Sequence, residues 1–223
     1  RYYEAVRDWI LPHVKDRPLT LVRCPEGYQK ECFYQKHAND QMPDVIGRVE
    51  VPADQGSACY TIAHSLEALL GLVQIGVLEI HTWGAKRDKL DRPDRMILDL
   101  DPGPAVDWSS VIEGAQLLRT LLSELNLTSF VKTTGGKGLH VVVPLQRVHT
   151  WDEVKTFSKS LAEHLERMIP ERFVATMSKA KRKGKIYVDY LRNAQGATAV
   201  AAYSTRARPR APVSVPLAWD ELS

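Results

Sequence analysis

The sequence predicts an α+β fold, with a mixed, largely antiparallel β-sheet core flanked by helices. Two observations lead to this prediction. Apolar residues recur with helical spacing in some segments and alternate as in strands in others, and the two kinds of segment are intermixed along the chain. With 223 residues, of which 44% are hydrophobic, the chain can bury a sizeable core without structural metals or disulfides.

Four segments have the apolar spacing of helices, at residues 1–14, 57–75, 108–125 and 150–169. Asp107 is placed to cap the third helix, and Thr150 with Glu153 has the spacing of a capping box at the start of the fourth.

Strands are predicted between these helices. Residues 17–52 alternate short apolar runs with proline and glycine, which is typical of short strands and turns. Later strands are expected at 77–83 and 95–101, on both sides of the glycines within 130–145, and near 172–177, 185–191 and 197–203.

Composition excludes several classes of protein. No apolar run approaches the ~18–20 residues of a membrane span, and the hydrophobic content is too high for a disordered chain. The cysteines Cys24, Cys32 and Cys59 form no C-x-x-C pair, so we expect reduced thiols rather than a disulfide framework or a zinc ribbon. Because the chain opens inside a predicted helix without a methionine, we expect a fragment of a longer multidomain protein.

Positive charge is concentrated in one segment, although the formal net charge is only +3. Residues 172–210 contain ten Lys or Arg and a single acid, Asp189. Such a cationic field attracts polyanions, so this segment favours nucleic-acid or nucleotide binding over a merely solubilising surface.

Three acids suggest a metal site. Alternation in the strand at 95–101 places Met96, Leu98 and Leu100 on one apolar face, and Asp99 and Asp101 together on the other, about 7 Å apart. Two carboxylates this close repel each other unless a cation lies between them, and divalent ions prefer carboxylate oxygens. Asp189, within another predicted strand, is a third candidate, although it could simply pair with an arginine.

A glycine-rich stretch, residues 134–140, reads TGGKGLH. It is not a Walker loop, because a strand follows where that motif needs a helix. A glycine hairpin can still offer backbone N–H groups to an anion, with Lys137 adding charge and Thr134 a hydroxyl, while an ordinary hairpin turn is the alternative. His140 enters the following apolar strand.

Together these motifs resemble the three-motif signature of the archaeo-eukaryotic primase superfamily, and more closely the polymerase domain of bacterial DNA ligase D. The motifs are DLDPG at 99–103, TGGKGLH at 134–140 and VDY at 188–190. Further stretches agree over nearly the whole chain: RPL at 17–19, FYQKH at 33–37, EIHTWG at 79–84 and DYLRN at 189–193.

The resemblance implies a primase-polymerase-like fold with an RRM-like catalytic portion. It implies one catalytic domain over 1–223, with a β-rich subregion at 17–56 and the catalytic sheet region at 77–210. In the family a further N-terminal stretch carries basic residues for the 5′-phosphate of a downstream strand, and we expect it to be missing from this fragment.

The resemblance also implies roles for individual residues. The catalytic, metal-binding residues would be Asp99, Asp101 and Asp189. The nucleotide-binding residues would be His81, Thr134, Lys137, His140, Arg182 and Arg206, with Thr134 standing where the family commonly has serine. The candidate nucleic-acid contacts are Phe33, Tyr34, Lys36, Lys181, Lys183 and Arg192, of which the two aromatics could stack on a template base or belong to the core.

The implied activity is template-directed addition of nucleoside triphosphates, ribonucleotides included, to a DNA primer 3′-end with two Mn²⁺ or Mg²⁺ ions, in bacterial non-homologous end joining. The implied partners are primer-template or gapped DNA, NTP or dNTP, ligase and nuclease domains, and the end-binding Ku protein, without a membrane. The expected location is the bacterial cytoplasm, at the nucleoid.

Two other functions remain open. A metal-dependent nuclease or phosphodiesterase would also use carboxylates and two ions, but would leave Lys137 and His140 without a role. A non-catalytic nucleic-acid-binding module would need aromatic residues on the central strands, where this chain has Asp99 and Asp101. A ligase-type adenylyltransferase is disfavoured because no K-x-D-G motif is present.

Overall fold

The computed structural model describes residues 1–52 and 56–222, which form two compact units. Unit 1 comprises Arg1–Leu90 and Thr198–Ser214, and unit 2 comprises Asp91–Ala197 and Val215–Ser223. Each unit contains a six-stranded, largely antiparallel sheet with helices, which confirms the predicted α+β class. None of the helices in the described residues has the length and apolar character needed to cross a membrane.

The elements follow one another along the chain as a mixture of short hairpins and longer helices. They are α1 (Tyr2–Ala5), α2 (Arg7–Val14), β1 (Leu19–Arg23), β2 (Phe33–Gln35), β3 (Gly47–Pro52), β4 (Ser57–Ile62), α3 (Leu66–Gln74), β5 (Val77–Trp83), β6 (Arg95–Pro102), α4 (Trp108–Glu124), β7 (Phe130–Thr133), β8 (Leu139–Pro144), α5 (Trp151–Met168), β9 (Phe173–Val174), β10 (Ile186–Asp189), β11 (Thr198–Val200) and β12 (Pro216–Leu217).

The sheet of unit 1 has the strand order β11-β5-β1-β4-β3, with β2 paired to β1. Leu19 and Leu21 of β1 and Ile80 of β5 are fully buried in its core, against α3. Because side chains alternate along a strand, Glu79 and His81 of β5 lie on the opposite face of this sheet.

The sheet of unit 2 has the order β12-β7-β8-β6-β10-β9, and only the β9–β10 pair is parallel. Met96, Leu98 and Leu100 of β6 are buried in the core with residues of α4 and α5, as alternation predicts. Both predicted caps are present. Asp107 accepts the Ser110 N–H at 2.7 Å, and Thr150 with Glu153 forms the complete capping box.

The predicted helix over 57–75 is wrong in its first half. Residues 57–62 form β4, which pairs antiparallel with β3, and the helix begins only at Leu66 after the Ser65 cap. Tyr60, Thr61 and Ile62 favour extended backbone, and cross-strand pairing outweighs the helical spacing that Ala58 and Ile62 happen to share.

Strands of the 77–210 region divide between the two sheets. β5 and β11 pair within unit 1, whereas β6–β10 belong to unit 2. The pairing of β5 with β1 joins residues about sixty positions apart, and local sequence patterns carry no information about such partners. Within the β-rich stretch predicted at 17–56, residues 53–55 lie outside the described part of the chain.

The expectation of three reduced thiols is also wrong, because Cys24 and Cys32 form a disulfide. The cause is the antiparallel pairing of β1 with β2, in which Arg23 lies opposite Phe33. Cys24, which follows β1, and Cys32, which precedes β2, are therefore brought to a Cα–Cα distance of 4.4 Å. Their eight-residue separation gave no sign of this hairpin.

Candidate active site

A polar row crosses the sheet of unit 2. The register of four adjacent strands places Lys132 of β7 opposite His140 of β8, His140 opposite Asp99 of β6, and Asp99 opposite Asp189 of β10. Directly opposed side chains have Cβ atoms about 5 Å apart, so all four share one face of the sheet. The structure therefore brings the first and third predicted acids together, although they lie ninety residues apart in the sequence.

Asp101 completes an acidic cluster, which we define as Asp99, Asp101 and Asp189. It follows Asp99 by two residues on β6 and lies opposite Tyr187 of β10. The phenol of Tyr187 donates to Asp189 Oδ1 at 3.2 Å, and the Leu191 N–H donates to the same oxygen at 2.9 Å. These two bonds fix the carboxylate of Asp189 within the acidic cluster.

Two arginines lie on the acidic cluster. Arg192 reaches Asp99 Oδ2 with Nη2 at 3.4 Å and Asp189 Oδ2 with Nε at 3.3 Å. Arg182 donates to Asp101 Oδ2 at 3.2 Å, and its guanidinium carbon lies 3.8 Å from the centroid of the Tyr187 ring. The structure thus places Arg192, predicted as a nucleic-acid contact, and Arg182, predicted as a nucleotide contact, at the three carboxylates.

Local packing explains how these arginines reach the site. Gly103 donates its N–H to the Lys185 carbonyl at 2.9 Å, and a Cβ at this position would collide with the carbonyl of Arg182. The glycine after the acidic strand therefore lets the turn that carries Arg182 approach. Asn193 exchanges hydrogen bonds with the backbone of Ile97 at 2.7 and 2.8 Å, which fixes the turn that carries Arg192 against β6.

The acids do not ionise alike. Burial raises the pKa of Asp101 and of Asp189, and the charge of Asp99 adds to both effects. For Asp99 burial acts in the same direction, but the interaction with His140 and the charges of Arg192 and Lys132 outweigh it and lower its pKa. Burial and the neighbouring carboxylate therefore outweigh the arginine charges at Asp101 and Asp189, but not at Asp99.

His140 is neutral near pH 7. Its ring is buried, and this burial together with the charge of Lys132 lowers its pKa to about 4. Nε2 lies 3.4 Å from Asp99 Oδ2, whereas Nδ1 is buried without a hydrogen-bond partner among the described residues. His140 therefore contributes a hydrogen bond to the polar row, and it does not add a positive charge to that of Lys132.

The donor set of the acidic cluster fits a divalent cation, because carboxylate oxygens are hard ligands and a bound cation would offset the burial that disfavours ionised Asp101 and Asp189. Within residues 1–52 and 56–222, no group of three or more His, Cys, Asp or Glu side chains already has ligating geometry. In this arrangement guanidinium groups pair with all three carboxylates.

The glycine hairpin between β7 and β8 is held by hydrogen bonds of the Thr134 side chain to its backbone. The Thr134 hydroxyl donates to the Gly138 carbonyl at 3.1 Å and accepts the Gly136 N–H at 3.2 Å. A Cβ on Gly138 would collide with the Leu100 carbonyl, so only glycine allows the hairpin to lie against β6. Lys137 is exposed at its tip. Thr134 therefore has at least a structural role in this turn.

A second group of charged residues lies in unit 1, and we call it the Glu79 cluster, comprising Glu79, His81 and Arg206. Glu79 Oε2 is 2.8 Å from His81 Nε2 and 3.0 Å from Arg206 Nε. Glu79 is only 5% exposed, yet the hydrogen bonds and the arginine outweigh burial and lower its pKa to about 2. The structure thus joins two predicted nucleotide contacts, His81 and Arg206, through one carboxylate.

The predicted nucleic-acid contacts are on the surface of their units. Tyr34 is 69% and Phe33 43% exposed, so neither is a core residue. The Tyr34 ring lies edge-on to His81 at 6.3 Å, and Arg23 stacks over Phe33 at 5.5 Å. The three predicted lysines are also exposed: Lys36, Lys181 and Lys183.

Sequence reasoning missed three residues that organise these clusters: Lys132, Tyr187 and Glu79. Glu79 could have been found, because alternation puts it on the same strand face as His81. Lys132 and Tyr187 owe their positions to register with β8 and β6. That register could be inferred only after the strand pairing was known.

Comparison with known proteins gives one consistent result. A family model described as the primase-polymerase domain of LigD matches residues 1–223. The multifunctional non-homologous end joining protein LigD of Pseudomonas aeruginosa is 48% identical over 221 residues, covering 99% of this chain and 26% of that protein. The bifunctional LigD of Bacillus subtilis is 32% identical over 223 residues, covering 100% of this chain and 36% of that protein.

The same similarity is found among solved structures. The polymerase domain of Mycobacterium tuberculosis ligase D, solved in complex with DNA, superposes with a TM-score of 0.92 at 31% sequence identity. The match covers 99% of this chain and 80% of that one. This chain spans about a quarter to a third of the length of the curated relatives. It belongs to the LigD primase-polymerase domain family, whose class of chemistry is nucleotidyl transfer.

Proposed function

We propose that this chain is the polymerase domain of an end-joining repair protein, and that it adds nucleotides to a DNA primer 3′-end under the direction of a template. The acidic cluster is the observation that carries the proposal, since three carboxylates from two neighbouring strands converge beside a neutral histidine. Its relatives are named as end-joining proteins, and its solved relative was bound to DNA.

In the proposed reaction the primer 3′-oxygen attacks the α-phosphorus of a nucleoside triphosphate, and pyrophosphate leaves with the electrons of the broken bond. Asp99, Asp101 and Asp189 would hold divalent cations, Mn²⁺ or Mg²⁺. When bound, such ions make a hydroxyl more acidic and neutralise charge on a leaving phosphate.

The chain's own residues supply the remaining functions. His140, uncharged near pH 7, can donate a hydrogen bond to a phosphate oxygen or hold Asp99 without adding charge to the site. Lys137 at the tip of the hairpin and Arg182 beside Asp101 are cations suited to the triphosphate. His81, Arg206 and Thr134 are assigned to nucleotide binding as well.

DNA binding would rest on charge and stacking. The exposed lysines Lys36, Lys181 and Lys183 suit the phosphate backbone, and Arg192 is assigned to the same role once a cation replaces it at the carboxylates. Phe33 and Tyr34 are exposed enough to stack on an unpaired base, which contributes about 1–3 kcal/mol per base. Acceptance of ribonucleotides, and partnership with Ku and with ligase and nuclease domains, are part of this proposal.

Primer extension is the direct test. Purified protein would be incubated with Mn²⁺, labelled NTP or dNTP and a gapped duplex that carries a 5′-phosphate. We expect longer products from the wild type and from Asp220→Asn, an exposed acid at the far end of the chain, but none from Asp99→Ala. Shorter products would instead indicate a nuclease, and full extension by the Asp99→Ala, Asp101→Ala double variant would refute the proposed site.

A further inference from the structure

The Glu79 cluster contains a residue to which neither the motifs nor the relatives assign a role. We infer that Glu79 is a positioning residue for the incoming triphosphate, because its single buried carboxylate sets the orientation of both His81 and Arg206. This inference rests on the proposed function, since it takes those two side chains to be nucleotide contacts.

The contacts of the carboxylate are divided between its two oxygens. Oε2 lies 2.8 Å from His81 Nε2 and 3.0 Å from Arg206 Nε. Oε1 accepts the backbone N–H of Ala207 at 2.9 Å. One oxygen therefore orients side chains, while the other fixes the backbone of the segment that carries Arg206.

That segment, residues 203–214, has further supports. The Ser204 hydroxyl accepts the N–H of Ile80 on β5 at 2.9 Å, and within the segment the Arg206 N–H donates to the Pro212 carbonyl at 2.9 Å. The fold of the segment thus has supports other than Glu79. Losing the negative charge at Glu79 should release the Arg206 and His81 side chains more than it disturbs the backbone.

The physical argument concerns preorganisation. A long arginine side chain loses much conformational freedom when it grips a phosphate, and a buried ion pair removes that freedom in advance. The side chains of Glu79, His81 and Arg206 are 7%, 13% and 16% exposed, so bulk water screens their interactions weakly. Exposed Tyr34, edge-on to His81, extends the same arrangement towards solvent.

A double-mutant cycle that measures triphosphate affinity distinguishes a positioning role of Glu79 from a purely structural role. Binding of a non-hydrolysable ATP analogue with Mg²⁺ would be measured by calorimetry for Glu79→Gln, Arg206→Ala, His81→Ala and the Glu79→Gln, Arg206→Ala double variant. Glutamine keeps an oxygen that accepts the Ala207 N–H but loses the charge. Glu50→Gln is the matched control, because Glu50 is an exposed carboxylate on β3 of the same sheet.

We expect Glu79→Gln to weaken analogue binding about 10-fold, as for the loss of one charged hydrogen bond, and Glu50→Gln to leave it unchanged. Because Glu79 acts through Arg206 and His81, the double variant should bind within about threefold of Arg206→Ala alone. Thermal unfolding would show whether each variant is folded, and primer-template affinity should stay at the wild-type value.

Three results would overturn the inference. If Glu79→Gln binds the analogue as the wild type does while Arg206→Ala is weakened, the carboxylate has no positioning role although the nucleotide site stands. If the two single effects multiply fully in the double variant, Glu79 does not act through Arg206. If Arg206→Ala and His81→Ala also bind normally, the nucleotide assignment itself fails, and the inference fails with it.

Discussion

The acidic cluster of unit 2 and the Glu79 cluster of unit 1 combine similar residue types, but the pKa values of their carboxylates shift in different directions. In the acidic cluster three carboxylates share the charges of Arg182, Arg192 and the nearby Lys132, yet burial and mutual repulsion still raise the pKa of Asp101 and of Asp189. In the Glu79 cluster one carboxylate serves both an arginine and a histidine, and its pKa falls to about 2. The first arrangement calls for an added cation, whereas the second is satisfied and suited to an anion.

The largest expected difference between the clusters is the effect of neutralising one acid. Asp189→Asn should reduce primer extension about 1000-fold, because a buried ligand of the proposed cations is lost. In metal-free buffer the same variant should unfold at or above the wild-type temperature, since a charge that burial disfavours has been removed. Asp220→Asn should change neither quantity. An Asp189→Asn protein that stays active would break the comparison.

Glu79, unlike Asp189, should stabilise the fold in its ionised form, and lowering the pH should remove this stabilisation. Its pKa is depressed from 4.5 to about 2, so its contribution to stability is complete above pH 4.5 and is lost as the pH falls towards 2. The shift corresponds to at most about 3 kcal/mol. Denaturant unfolding at pH 7 and pH 3 should therefore show a smaller acid-induced loss of stability in Glu79→Gln than in the wild type. Equal losses in both proteins would contradict the assignment.

The disulfide provides a way to perturb unit 1 alone. Cys24 and Cys32 close a short hairpin, and a crosslink over a loop of this length stabilises the folded chain by about 2.5 kcal/mol in the loop-entropy account. The Cys24→Ser, Cys32→Ser double variant should unfold at lower denaturant concentration, as should reduced wild-type protein. Binding of Mn²⁺ should not change, since the acidic cluster belongs to unit 2. A matching loss of Mn²⁺ affinity would show that the two clusters are not independent.

The smallest predicted effect distinguishes the two arginines. Arg192→Ala leaves Asp99 and Asp189 less compensated, so Mn²⁺ should raise its unfolding temperature by roughly 2–4 °C more than that of the wild type. Arg206→Ala leaves Glu79 bonded to His81 and the Ala207 N–H with no second carboxylate in its cluster, so Mn²⁺ should give this variant no such extra stabilisation. Calorimetric scans with and without the ion would decide, and equal stabilisation of both variants would count against the distinction.

Much of the acidic cluster could be predicted from sequence because it depends on local rules. Strand alternation alone put Asp99 and Asp101 on the face opposite Leu98 and Leu100, and the structure agrees. The caps at Asp107 and Thr150 are equally local and are confirmed. The convergence of Asp189 on Asp99 needed the resemblance, since it depends on how two distant strands pair.

The errors have the same origin. The strand Ser57–Ile62 and the Cys24–Cys32 bond both arise from antiparallel partners that no local pattern specifies. Alternation places Glu79 on the same strand face as His81, but its pairing with Arg206, more than a hundred residues later, is seen only in the folded chain. Where a charged side chain is held by a distant segment, only the folded chain identifies the pair.

Titration of the wild type and of Asp189→Asn with Mn²⁺, followed by calorimetry, tests the central claim most directly. Three carboxylates converging on one face of the sheet predict saturable binding of two ions to the wild type, and an affinity at least about 10-fold lower for Asp189→Asn. Identical binding curves for the two proteins, or no saturable binding to the wild type, would contradict the account.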